Sequence, residues 1–187
     1  IKGLVSYMVN KNVKNEDSGF TKEQILDKIV KLTESGNLNL TDIEDGLTVN
    51  EIMSRLKYLV DVCGVKVFFI DPINQFSPPD SEPDVRKFLD NLCQRVAKFC
   101  VTNNVCCVWT AHVNDDGQTR DSRMISKSAS IRIDIDRDHM SEDEDIKNTT
   151  KAKVVKNRPF ANTGVVNDLG FDIESFTLSE KQSDLPF

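Results

Sequence analysis

Two apolar runs in the sequence end on residues that can do chemistry. VKVFFID carries four apolar residues, Val67 to Ile70, into Asp71, and VCCVWTAH closes on His112. A carboxylate at a strand end can hold the water shell of a nucleotide-bound Mg²⁺ through its oxygens. It can also do no more than cap the loop that Pro72 opens. An imidazole at the end of the neighbouring strand can hydrogen-bond a terminal phosphate and report its loss to the loop that begins at Asn114; a lone histidine is also commonly structural. Farther on, KNRPFANTG puts Lys156 and Arg158 at alternate positions of a strand, so that both side chains leave one face and reach a phosphate together just before a turn. Between these pieces, NDDGQTRDSRMISKS mixes Gly117 with Arg120, Arg123 and Lys127. That composition suits a mobile grip on a phosphate backbone, or plain solvation. His139 sits among acidic residues and is given no role.

The elements that must position these residues follow from periodicity. LVSYMVNKN and FTKEQILDKIVKLTESG have helical spacing, the second opened by a capping box of Thr21 with Gln24 and closed at Gly36. NLNLTDIEDGL alternates and predicts a short strand, after which Thr48 with Glu51 caps a helix through VNEIMSRLKYLVDVCG. VKVFFID reads as a strand buried between helices in a parallel sheet. Prolines 72, 78, 79 and 83 keep the next stretch irregular until DVRKFLDNLCQRVAKFCVTNN restores helical spacing ahead of the strand VCCVWTAH. IRIDID alternates, SEDEDIKNTT is an acidic turn, AKVVKNRP, VVNDLGFD and FTL are hairpin-like strands, and EKQSDLPF reads as a disordered tail. The expected fold is α/β, with a mainly parallel sheet flanked by helices and antiparallel strands at its C-terminal edge. Ligands in such sheets bind beyond the carboxyl ends of the strands, where both Asp71 and His112 fall.

Composition narrows the classes. The 187 residues suffice for one domain, and 39% hydrophobic against 29% charged is an ordinary globular balance. A net charge of −6 excludes a protein that coats nucleic acid with its whole surface, while leaving room for a local basic loop. No apolar run reaches the roughly 18 residues of a membrane span, and no signal-peptide pattern opens the chain, so a cytoplasmic protein without membrane partners is expected. Five cysteines, Cys63, Cys93, Cys100, Cys106 and Cys107, lack CxxC spacing and predict buried free thiols rather than disulfides or a zinc site.

Taken in order, these motifs resemble the RecA-like motor domain of DnaB-type hexameric replicative helicases, particularly the phage primase-helicase and Twinkle-like branch. FFIDPINQF stands in the place of the Walker B strand and VWTAH in that of the strand ending in the phosphate sensor. RDSRMISKSASIRIDIDRD is similar to the family's arginine-serine element followed by a strand ending in an acidic-Arg pair, and KNRPFANTG to its arginine-finger hairpin. The resemblance implies a RecA-like P-loop NTPase core. It makes Asp71 the Mg²⁺-linked Walker B acid, His112 the γ-phosphate sensor, Arg158 a finger inserted into the neighbouring subunit's site with Lys156 beside it, and Arg137 a residue flanking the nucleotide base. The loop from Asn114 to Lys127, with Gly117, Arg120 and Arg123, takes the place of the DNA-binding loop in a central channel. ATP or dTTP is the implied substrate, single-stranded DNA the partner, and a homo-hexamer or heptamer the assembly, moving 5′ to 3′ in a phage replisome in the host cytoplasm.

The departures from that pattern carry their own expectations. No GxxxxGK[ST] occurs, and Glu16 and Glu23 do not match the catalytic glutamate that follows the family's P-loop. The resemblance therefore implies a C-terminal portion of the motor, residues 1–178, inactive alone, followed by a flexible tail over 179–187. The closing SDLPF resembles acidic-aromatic tails that dock on DNA polymerases. Two alternatives remain: a non-catalytic RecA-like assembly or partner-binding module, and another RecA-like ATPase of the RepA or KaiC kind.

Overall fold

The computed structural model describes residues 2–41, 46–81, 83–113 and 122–181. The protein is α/β, with a two-stranded parallel sheet and a five-stranded antiparallel one. Its described residues form two compact units: one runs from Thr41 to Ser130, and the other joins the residues up to Leu40 with those from Ile131 onward.

The first unit is a strand-helix-strand built on one core. Helix α3 is taken here as Val49–Asp61, α4 as Val85–Asn103, β1 as Val67–Ile70 and β2 as Cys106–Trp109. The capping box of α3 is complete: Thr48 Oγ1 accepts from Glu51 N at 3.3 Å, and the Glu51 carboxylate accepts from Thr48 N at 2.8 Å. Helix α4 starts at Asp84, whose side chain accepts from Lys87 N, and stops at Asn104 in the left-handed region. Its Phe88, Leu89, Leu92, Cys93, Val96 and Phe99 recur at helical spacing and are all buried. They share the core with Ile52 and Leu56 of α3, Phe68 of β1, and Ile73.

The strands pair in parallel, Val67 with Cys106 through Ile70 with Trp109. They were expected to be buried on both faces, and the structure covers only one. Phe68 is buried while Phe69 is 77% exposed, and Val67, Cys106 and Val108 share that open side. An uninterrupted apolar run carries no alternation by which one covered face could be told from two.

The second unit holds α1 (Lys2–Val9), α2 (Lys22–Glu34) and the antiparallel sheet. Its strands are β3 (Ile131–Asp136), β4 (Thr149–Asn157), β5 (Gly164–Val165), β6 (Leu169–Asp172) and β7 (Thr177–Glu180). The order is β3-β4-β6-β7, with β5 on β4. Helix α1 is tied to the turn between β6 and β7: Asn12 N donates to Glu174 O at 2.6 Å, and Lys14 lies 3.8 Å from the centre of the Phe176 ring. Helix α2 has both halves of its expected capping box and Gly36 at φ +70° beyond its end, yet buries no side chain fully.

Three expectations differ in detail. No strand forms among the described residues of 37–47. A short helix, α6 (Glu144–Lys147), occupies the acidic turn, because Asp143 accepts from Asp145 N and Ile146 N and so caps it. Strand β7 carries Ser179 and Glu180 past the expected boundary at 178, while SDLPF lies outside the described residues. No helix among the described residues is long and apolar enough to cross a membrane.

Candidate functional site

The register of the parallel sheet builds the first constellation. Ile70 and Trp109 are the last partners, so Asp71 and Thr110 leave the sheet side by side. The Thr110 hydroxyl donates to Asp71 Oδ1. The backbone continues the alignment past the strands: Thr110 N donates to Ile70 O, and Ile73 N to Thr110 O, both at 2.9 Å. Fully buried Ile73 roots the turn that follows Asp71, and in that turn Asn74 Oδ1 accepts from His112 N at 3.0 Å. Asp71, Thr110 and His112 are all exposed at the carboxyl edge.

Sequence reasoning found Asp71 and His112 but missed Thr110 and Asn74. The signal for Thr110 was present: it follows its four-residue strand in the same phase in which Asp71 follows its own. Among the described residues no group of three or more His, Cys, Asp or Glu is placed to hold a metal by itself. A single carboxylate steadied by a hydroxyl fits Mg²⁺, which keeps several waters and takes its other oxygens from phosphate.

A second constellation lies in the other unit, on β3 and β4. Lys156, on β4, is the register partner of Arg132, and Arg158 follows in the turn. Arg132 grips Asp134 through both edges of a fork, Nε to Oδ1 at 2.6 Å and Nη2 to Oδ2 at 2.8 Å. Partial burial pushes the Lys156 ammonium below its ordinary value, and the charges of Arg158 and Arg132 push it the same way. Arg132 was not singled out in the sequence.

The remaining candidates divide. Asn114, Gly117 and Arg120 lie outside the described residues. Arg123 and Lys127 sit on a short helix, α5 (Met124–Ser128), where Arg123 is the N-cap residue. This end of the stretch read as a mobile loop is anchored: Ile125 is buried, and buried Ser122 donates to Asp90 of α4 at 2.5 Å and accepts from Met124 N. Arg123 and Lys127 stay exposed and, four residues apart, share one side of the turn. Arg137, implied as a neighbour of a nucleotide base, is committed within its own unit. Its Nε donates to Lys147 O at 2.6 Å, its Nη2 to Asn148, and its guanidinium lies 5.2 Å from the Phe171 ring centre. A base contact would need these bonds to open.

The cysteines are free, as expected, but only in part buried: Cys63 and Cys106 are exposed. Burial pushes the Cys93 and Cys107 thiols up to about 12, which makes them poor nucleophiles at neutral pH. No family model matches the sequence, and no curated protein matches it.

Proposed function

We propose that the chain is part of a RecA-like helicase motor that couples NTP hydrolysis to movement along single-stranded DNA. The observation that carries this reading is the pairing of Asp71 with Thr110 at the carboxyl ends of neighbouring parallel strands, with His112 two residues farther along the same edge. Bound Mg²⁺ supplies charge neutralisation at the phosphates. Asp71 would hold that ion, and Thr110 keeps the carboxylate turned outward. His112 reaches the terminal phosphate while Asn74 fixes its backbone. Arg158, with Lys156, neutralises transition-state charge in the nucleotide site of a neighbouring subunit. The phosphate cradle comes from residues outside this sequence, which holds no GxxxxGK[ST].

The chain by itself is therefore expected to hydrolyse neither ATP nor dTTP above background. In the motor that carries the cradle, Asp71→Asn should lower DNA-stimulated hydrolysis by about 10²-fold or more without dispersing the assembly. Asp71-dependent turnover by the isolated chain would refute the missing cradle. An Asp71→Asn motor as fast as wild type would remove Asp71 from the nucleotide site, whereas a wild-type motor that carries the cradle and still hydrolyses nothing would favour a non-catalytic RecA-like module.

A further inference from the structure

We propose that the outer edge of β3 is a pairing edge for a second copy of this chain, the two strands lying antiparallel about a two-fold axis at Ile133. This isologous contact differs from the head-to-tail contact that would carry a finger between subunits, and it is independent of that reading.

Strand β3 ends the antiparallel sheet, and among the described residues no strand pairs with its outer edge. Native proteins blunt such edges with bulges, prolines or unmatched charges. The one break in the β3–β4 ladder is a bulge, and it lies in the other strand: Arg132 pairs with Lys156 but Ile133 with Val154, so Val155 is the extra residue of β4 and β3 runs unbroken. Ile131, Ile133 and Ile135 share one face of β3, since strand side chains alternate. They are 47%, 54% and 68% exposed, although an apolar row in a strand of alternating character is ordinarily the covered one.

The order of residues in β3 says what covers that row. The stretch IRIDI complements its own reverse. With Ile133 opposite the partner's Ile133, antiparallel pairing sets Ile131 opposite the partner's Ile135 and Arg132 opposite the partner's Asp134, each twice by symmetry. Arg132 and Asp134 already bond each other along the strand. The partner's pair arrives in reverse order, so four charges of alternating sign line one face while isoleucines line the other. Other registers lose this match. A shift of one residue puts every isoleucine opposite a charge, and an axis at Arg132 or Asp134 sets like charges against each other. Strand β7, at the far edge of the same sheet, reads TLSE and has no such complement.

The test is sedimentation velocity of the full chain from about 1 to about 300 µM, a range suited to a contact as small as one strand pair. The mass should rise towards twice that of the monomer and stop there, because a two-fold contact closes. Ile133→Lys puts two ammonium groups together at the axis, and Ile133→Glu two carboxylates; each should weaken pairing about tenfold or more. An equimolar mixture of the two variants should recover it, since lysine then faces glutamate. Phe69→Ser, on the open side of β1, should leave the dimer unchanged. If urea unfolding shows either Ile133 variant unfolded, Ile135→Lys and Ile131→Glu, which face each other in a mixed pair, replace them. A chain monomeric throughout, a mass that climbs past the dimer, Ile133→Lys pairing as wild type, a mixture that does not recover, or loss of the dimer in Phe69→Ser would each overturn the edge contact. No nucleotide enters the measurement, so its result is separate from that of the turnover assays.

Discussion

Asp71 is steadied by a hydroxyl rather than by a cation, and the difference matters for its proposed work. A Thr110 hydroxyl fixes the direction of the carboxylate without cancelling its charge, which stays available to a metal's water shell. Other carboxylates serve stability. Glu51 is held below its ordinary value of 4.5 by the Thr48 side chain and then by the Thr48 backbone N–H, both of which bond to the charged form. A carboxylate lowered on folding contributes stability that is fully present above 4.5 and is lost as pH falls through the lower folded value. Glutamine can fill the same capping position, as Gln24 does in α2. Glu51→Gln should therefore leave the urea midpoint nearly unchanged at about pH 7 and make its decline below about pH 4.5 shallower. Parallel declines in the two proteins would show that this cap does not contribute to the acid response.

At the scale of elements, what was legible was what is local. The capping boxes at Thr21 and Thr48 and the inward Phe88, Leu89, Leu92 and Val96 of α4 were readable because a helix is specified by neighbours three and four residues apart. The edge shared by Asp71 and His112 was readable because paired parallel strands end together. Three things depended on distant partners and were not readable. The open side of β1 depends on what fails to cover it. The anchoring of α5 depends on Asp90, 32 residues before Ser122. The placing of Lys156 beside Arg132 depends on a bulge that no alternation in KNRP announces. The one-sided sheet has a measurable consequence. Leu92→Ala, fully buried, should cost about 2–5 kcal/mol in urea unfolding. Phe69→Ser, at 77% exposure, should change the isolated chain by less than about 0.5 kcal/mol. A large loss at Phe69 would mean that the open face is covered in solution.

For the whole molecule, the two constellations belong to different units, and the proposed motor joins them between subunits. That arrangement predicts complementation. Rings of Asp71→Asn subunits and rings of Arg158→Ala subunits should each be slowed by about 10²-fold or more, the second by the loss of a trans finger. Rings re-formed from a mixture should regain part of the rate, because an intact site appears wherever an Arg158→Ala subunit, which keeps Asp71, receives Arg158 from an Asp71→Asn neighbour. No recovery in mixed rings of confirmed composition would exclude action in trans.

The sequence distance spanned by each contact also orders events in time. The Arg132 fork closes on Asp134 two positions away and can assemble as soon as β3 is extended, whereas the Thr110–Asp71 bond joins residues 39 apart, with all of α4 between them. Closing the longer loop must come before any of its contacts are rewarded. In a refolding chain the Arg132–Asp134 grip is an early arrival and the carboxylate edge a late one. Interrupted refolding would catch molecules that already hold their arginine in place but have not yet brought Thr110 to Asp71.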